Sequence, residues 1–352
     1  MIKLNNKNID NLIIRDGKRL YIDKEWLKEQ LLSGKKYFDI ACEIGCSISL
    51  IKRNINEYNL IDEIKNECKS FCKIGNRFYI NNKWLIEKYE IEKLSITDIA
   101  KIVGCDVGVV RKYLNKYNIS IREMWEVGIL KYGGSLDFYI SDEFMSMLDG
   151  LLISDGTLTN NKKYNSYFSI IQHFSKEEWI ECIKDVFEKC GIRCKVSFRK
   201  GGKYVIYGKE YNNADKYVLY TQCHPFFTEQ RKRWYNDEGK KIIPKDIRFD
   251  ELMIANWMMG DGCLDCRKID YYVKFATHCF NIDEIKYLID LFKSKYNFDF
   301  RVKCDRCWYE MCLYKQNQVY EFCKMIEPYI VNCFKYKIRC LYDEEWVNKW
   351  GK

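Results

Sequence analysis

No apolar stretch in these 352 residues approaches the ~18 needed to cross a bilayer as a helix, so neither a membrane span nor a membrane partner is expected. The opening Met-Ile-Lys-Leu-Asn-Asn-Lys lacks the apolar core of a secretory leader. The expected location is the cytoplasm, or an organellar matrix if the gene is an organelle's. Charge of one sign is also in short surplus: 59 Lys and Arg stand against 50 Asp and Glu, a net +9. That balance suits a polyanionic partner without identifying one. Because Lys, Asn, Ile and Tyr richness is also what an A+T-rich genome produces, only the placement of charge is informative.

Cysteine is abundant, at 18 residues, but it is scattered and accompanies no secretory signal. This reads as reduced thiols, many of them small core fillers. Two CxxC steps, Cys263 to Cys266 and Cys304 to Cys307, have the spacing that lets two thiolates share a tetrahedral ion. Each falls at or near an expected β-hairpin, and nothing in the sequence makes the two regions converge. Zinc is therefore not expected.

The length allows about two or three domains at roughly 150 residues each, and the first third contains a repeat. Gly17-Lys-Arg-Leu-Tyr-Ile-Asp-Lys-Glu-Trp26-Leu27 recurs as Gly75-Asn-Arg-Phe-Tyr-Ile-Asn-Asn-Lys-Trp84-Leu85. Asp39-Ile-Ala-Cys-Glu-Ile-Gly45-Cys46 then aligns with Asp98-Ile-Ala-Lys-Ile-Val-Gly104-Cys105, and Asn56-Glu-Tyr-Asn-Leu60 with Asn115-Lys-Tyr-Asn-Ile119. Two copies of one small helical domain are implied, over 1–62 and 63–121. In each, a small Ala (Ala41, Ala100) precedes a turning Gly by four residues, and Ile51 or Val110 follows six after it. That is a helix-turn-helix pattern. Its second helix offers Lys52, Arg53 and Asn56 in one copy and Arg111, Lys112 and Asn115 in the other, side chains that reach phosphates and base edges. Residues 122–141, including Gly133-Gly134, read as a connector whose aromatics argue against full disorder.

Beyond the connector, two apolar helix-length runs each end in Asp-Gly: Leu148-Asp-Gly-Leu-Leu-Ile-Ser-Asp155-Gly156 and Ile254-Ala-Asn-Trp-Met-Met-Gly-Asp261-Gly262. A carboxylate at a helix C-terminus faces the negative end of the macrodipole and needs something positive. If the helices pack side by side, Asp155 and Asp261 approach and repel unless cations lie between them, and a divalent metal is the obvious one. Gly150 and Ser154 form a small-residue face on the first helix, while Asn256 and Gly260 occupy the equivalent places on the second. After each helix the pattern runs strand, strand, helix, strand, strand, helix. Strands are expected near 157–163, 166–173, 192–199 and 203–221, then near 263–268, 271–278, 299–304 and 308–314, with helices near 175–190, 224–235, 281–296 and 316–327.

The two nonamers, with Trp234-Tyr235, Lys240-Lys241-Ile-Ile-Pro244, Trp257-Met-Met-Gly-Asp-Gly262, the Phe280 to Leu288 run, Ile326-Glu-Pro-Tyr329 and Tyr336-Lys337, make residues 142–345 resemble a single-chain LAGLIDADG homing endonuclease. The resemblance implies an α+β fold of two αββαββα units, 142–239 and 240–352, meeting at a pseudo-twofold axis to form a saddle over DNA. It further implies that Asp155 and Asp261 hold Mg2+, with Mn2+ able to substitute, and that the backbone carbonyls of Ser154 and Gly260 complete the ligation. Lys241 and Lys337 match the basic residue beside each centre, although Lys240 and Lys335 are close by and Arg339 stands where the family has Pro. Gln172 and His278 occupy corresponding places as polar groups supporting the centre. Lys162, Lys163, Lys195, Arg199, Lys274, Arg301, Lys303 and Arg306 are expected to face or flank the duplex.

The resulting expectation is a monomeric, Mg2+-dependent endonuclease that makes a double-strand break in a long, non-palindromic DNA target, encoded in a mobile intron or free-standing. The N-terminal domains would extend its DNA contact. Two alternatives stay open: an intron maturase that binds host intron RNA to assist splicing, and a cleavage-inactive transcription regulator. An intein is not expected, because the Met start and Trp-Gly-Lys end lack the splicing nucleophile and His-Asn pair.

Overall fold

The computed structural model describes residues 12–351 except 17, 18, 76, 132, 133, 137, 161–164, 208, 268, 269, 306 and 307. The chain forms two compact units, Met1–Glu123 and Met124–Lys352.

In the first unit a hairpin of β1 (Ile13–Asp16) and β2 (Arg19–Ile22) precedes α1 (Lys24–Leu32), α2 (Tyr37–Glu43), α3 (Ile48–Glu57) and α4 (Leu60–Glu67). A second hairpin, β3 (Phe71–Ile74) and β4 (Arg77–Ile80), precedes α5 (Asn82–Ile86), a π turn over Glu87–Ile91, α6 (Ile96–Val103) and α7 (Val107–Lys116). The repeated Arg-x-Tyr-Ile run is thus a strand, so each copy opens with a hairpin before its helices. The turn glycines Gly45 and Gly104 have φ of 69° and 72°, a left-handed conformation that glycine adopts without steric cost. Ala41 and Ala100 are buried at the helix contact, and Ile51 and Val110 are wholly enclosed. The expected boundary after residue 62 falls inside α4, because Leu60 and Ile64, four apart on one helix face, join the first copy's core.

The second unit begins with α8 (Met124–Lys131), inside the stretch read as connector. The rings of Trp125 and Phe138 lie 5.0 and 3.8 Å from that of His224, docking this stretch by aromatic contact. Then follow α9 (Asp142–Leu152), β5 (Thr157–Leu158), β6 (Phe168–His173), α10 (Glu177–Lys189), β7 (Cys194–Arg199), β8 (Lys203–Ile206), β9 (Lys209–Asn212), β10 (Lys216–Thr221) and α11 (Pro225–Trp234). The second half repeats this order with α12 (Glu251–Gly260), β11 (Gly262–Arg267), β12 (Asp270–Ala276), α13 (Ile282–Tyr296), β13 (Arg301–Asp305), β14 (Trp308–Leu313) and α14 (Gln316–Ile326). A 3-10 turn over Glu327–Tyr329, a longer 3-10 stretch over Asn332–Tyr342 kinked at Ile338, and a last helix, α15 (Glu344–Trp350), complete it.

Both sheets are four-stranded and antiparallel with equivalent orders, β5-β6-β10-β7 and β11-β12-β14-β13. Period-2 patterning explains which face each buries: Phe168 and Ile170, Leu219, and Val273, Phe275, Met311 and Leu313 point into one continuous core with α9 and α12. The single strand expected over 203–221 is broken. Tyr207 takes a φ of 50°, and β8 and β9 pair with each other before β10 rejoins the sheet.

Candidate functional site

Helices α9 and α12 start on side-chain caps. Ser141 accepts from the Phe144 N–H at 3.0 Å and Asp250 from that of Met253 at 2.9 Å. They pack together through their small residues. A Cβ on Gly150 would lie 2.4 Å from the Met253 carbonyl oxygen and 2.7 Å from the Asn256 Cβ; one on Gly260 would lie 2.5 Å from the Ser154 hydroxyl. Gly150 is required by the approach of the Met253 backbone, and Gly260 by the Ser154 side chain packed against it. Asn256 is fully buried in this seam, accepting from Trp179 Nε1 at 3.2 Å and donating to the Leu252 carbonyl at 2.9 Å.

This packing brings the two helix tips to one place. The Gly260 Cβ position is 3.4 Å from Asp155 Oδ2, so the first carboxylate lies beside the residue preceding the second. Burial and the Asp155 charge push the Asp261 carboxyl up to about 6, against the pull of Lys241, Lys337 and His278. Gln172 donates to Asp155 Oδ2 at 2.7 Å, while His278 is exposed and acts on Asp261 through its charge.

Each tip receives a lysine, by different means. Lys241 donates to the Ser154 carbonyl at 2.7 Å. Lys337, only 8% exposed, donates to the carbonyls of Met258, Met259 and Gly260 at 2.9, 2.7 and 2.9 Å and so caps α12. Burial lowers both ammonium groups, Lys337 to about 8. Their neighbours face outward: Lys240 is exposed and paired with Glu238 at 2.9 Å, and Lys335 is exposed. Arg339 follows Ile338, where φ of −126° kinks the 3-10 turn that delivers Lys337.

Sequence reasoning missed Asp149, which is wholly buried on α9. Its two oxygens accept from Arg233 at 2.6 and 2.9 Å, from Trp234 Nε1 at 3.1 Å and from the Arg248 N–H at 2.9 Å. Its only sequence signal is the mismatch with Ala255, the equivalent residue of the second motif. Between those donors lies the segment that carries Lys241. The Tyr235 to Lys241 bridge closes it, and the expected unit boundary after residue 239 divides this turn.

The sheet faces away from the core are unequal in charge. Lys195 and Arg199 share that face of β7 with Ser197, and register sets them against Tyr220 and Lys216 of β10. In the second sheet Arg301 and Lys303 lie on β13 and Lys274 on β12, but Lys274 pairs with Asp265 at 2.9 Å and Lys303 with Glu310 at 3.2 Å. The charge of these two lysines is locally neutralised. Lys162, Lys163 and Arg306 lie outside the described residues. In the first unit Lys52, Asn56, Arg111, Lys112 and Asn115 are exposed on α3 and α7. Arg53 instead turns back to the Leu20 carbonyl and Glu57, and Asp106, the cap of α7, accepts from the Gly108 N–H at 2.7 Å.

The described cysteines of the CxxC steps lie on opposite edge strands of the second sheet. Cys263 and Cys266 are three apart on one strand and so point to opposite faces. Cys304 is on the far edge strand, and Cys307 lies outside the described residues. No group of three or more His, Cys, Asp or Glu arranged to hold a metal occurs among the described residues, and none of their helices is long and apolar enough to cross a membrane.

Residues 145–318 match the family described as LAGLIDADG DNA endonuclease family. An uncharacterized protein of Methanocaldococcus jannaschii is 31% identical over 274 residues, which span 76% of this chain and 99% of that one. The cytochrome b mRNA maturase bI2 of Debaryomyces hansenii is 26% identical over 203 residues, 56% of this chain and 74% of that one. Among solved structures, the homing endonuclease I-WcaI bound to its DNA recognition sequence superposes with a TM-score of 0.50 at 20% identity, covering 64% of this chain and 96% of that chain. That likeness is one of fold.

Proposed function

Because residues 145–318 form a LAGLIDADG DNA endonuclease family domain, we propose that the second unit hydrolyses both strands of a specific, non-palindromic DNA duplex with a divalent cation, and that the protein acts as a monomer carried by a mobile element. One observation supports this most: two carboxylates at adjacent helix tips, each tip also holding a lysine.

The donors suit a hard cation. Burial and then the Asp155 charge hold Asp261 up to about 6, and the Ser154 and Gly260 carbonyls at the same tips offer further oxygen. Magnesium takes few carboxylates and keeps sites for water and phosphate oxygens; Mn2+ would substitute. Bound there, such a cation supplies Lewis acidity toward the scissile phosphate and the attacking water. Gln172 fixes the Asp155 carboxylate through its amide. Lys241 and Lys337 hold positive charge where the phosphate gains negative charge, a preorganised stabilisation. One half-site serves each strand. Lys195, Arg199 and Arg301 grip the flanking backbone, while Lys274 and Lys303, already paired, contribute polar positioning. Lys52, Asn56, Arg111, Lys112 and Asn115 of the first unit add affinity along one flank.

The test is incubation of uninterrupted DNA spanning the gene's own insertion site with Mg2+ or Ca2+, comparing the parent with Asp155→Asn and Asp261→Asn. Cleavage by the parent in Mg2+ and loss in both variants is expected. Equal activity in all three refutes the metal assignment. The similarity to a protein named as a cytochrome b mRNA maturase favours a second reading, binding of host intron RNA to assist splicing. RNA binding by a parent that does not cleave DNA would select it. Retention of both Asp and both Lys residues argues against a cleavage-inactive regulator.

A further inference from the structure

We propose that Asp149 is the positioning residue for Lys241, acting as a clamp that closes the loop from Trp234 to Arg248 onto α9. The assignment deepens the endonuclease reading and rests on it for the chemical role of Lys241. Four donors converge on the Asp149 carboxylate, and they come from both sides of the loop: the Arg233 guanidinium and Trp234 indole from its start, the Arg248 N–H from its end. Arg233 also reaches across to Asp246, donating from Nε to the carboxylate at 2.8 Å and from a terminal nitrogen to the backbone carbonyl at 3.0 Å. The loop is thus cross-tied at its neck.

Inside the neck, the Asn236 N–H donates to the Lys240 carbonyl at 3.0 Å, the Lys240 N–H donates to Asn236 Oδ1 at 2.9 Å, and the Ile242 N–H returns to the Trp234 carbonyl at 2.9 Å. This turn sets Lys241 opposite Tyr235, with its ammonium on the Ser154 carbonyl just past the C-terminus of the helix that carries Asp149. The clamp therefore fixes Lys241 against the tip it serves. Stability alone does not call for such a device, since apolar residues of similar volume often replace a buried ion pair without loss. The second half-site shows the alternative. Ala255 stands at the equivalent of Asp149, and Lys337 is held directly by three helix-end carbonyls. Lys241 touches one carbonyl and depends on its loop.

Asp149→Ala alone leaves the largely buried Arg233 charge with Asp246 as its remaining carboxylate and risks unfolding, so the deciding variant is Asp149→Ala with Arg233→Met, which removes both charges. Full-length, metal-free protein is acetylated with N-hydroxysuccinimidyl acetate, and lysine labelling is followed peptide by peptide by mass spectrometry. Lys241 labelling is expected to rise about tenfold in the double variant, as local opening of the loop exposes it, with Lys337 within about twofold of the parent. Unchanged protection of Lys241, or a parallel rise at Lys337, overturns the proposal. On cleavable DNA, the double variant should slow one strand and accumulate nicked product; equal slowing of both strands overturns it too. The labelling arm needs no cleavage, so failure of the clamp and failure of the endonuclease reading are distinguishable.

Discussion

Neutralising Asp261 separates what the site costs the fold from what it offers a ligand. Burial and the Asp155 charge raise its carboxyl from 3.8 to about 6. Between those two pH values the unfolded chain has released the proton while the folded chain retains it. Stability therefore falls as pH rises from about 4 to about 6, and the full cost persists above that window. Two pH units correspond to roughly 3 kcal/mol, which screening at a partly exposed tip reduces to about 1–2 kcal/mol. Asp261→Asn removes this cost. In EDTA at pH 8 it should stabilise the second unit by that amount, about 4 °C in melting temperature, and at pH 4 the advantage should vanish. Thermal melts of parent and variant at both pH values provide the assay. Adding Mg2+ at pH 8 should reverse the ranking, since a ligand that binds the folded state preferentially stabilises the parent. An Asp261→Asn protein less stable than the parent in EDTA at pH 8, or an advantage that persists at pH 4, refutes the reasoning.

Gly150→Ala drives a methyl group to 2.4 Å from the Met253 carbonyl, a backbone atom that cannot yield, and should destabilise the second unit by about 3 kcal/mol in urea titrations. Gly128→Ala, in α8 with nothing within 4 Å of its Cβ, is the control and should be neutral or stabilising by up to about 1 kcal/mol. Burial lowers Lys337 to about 8, so the folded chain sheds this proton before the unfolded chain does. The parent should then gain stability between pH 8 and 10 relative to Lys337→Met, a difference read from parallel urea curves. Deleting residues 1–121 should weaken and shorten DNA protection while leaving cleavage at high enzyme concentration; an unchanged footprint would remove the first unit from the DNA contact.

Much of the architecture is legible in the residue pattern because it depends on local periodicity. The paired Asp-Gly helix ends, the strand and helix order after each, and the doubled Ala-Gly-branched spacing of the first unit appear close to their expected positions. What failed also has local causes. A positive φ at Tyr207 split a strand that alternation alone made continuous, and Leu60 and Ile64 carried α4 across the drawn boundary. Both candidate lysine pairs were visible in sequence, but only packing buried Lys337 and half-buried Lys241 while leaving Lys240 and Lys335 outside.

The sequence by itself determined which residues end each motif helix and which small residues let two backbones meet, since spacing and side-chain size are local properties. Tertiary structure decided how those residues are used. Whether a lysine faces DNA or a carboxylate depends on strand register, as Lys274 with Asp265 and Lys303 with Glu310 demonstrate. Whether Asp149 is a misplaced charge or a clamp depends on Arg233, Trp234 and Arg248 arriving from about 84 to 99 residues away. A buried charge has its meaning set by the partners that compensate it, and those partners are adjacent only in the folded chain.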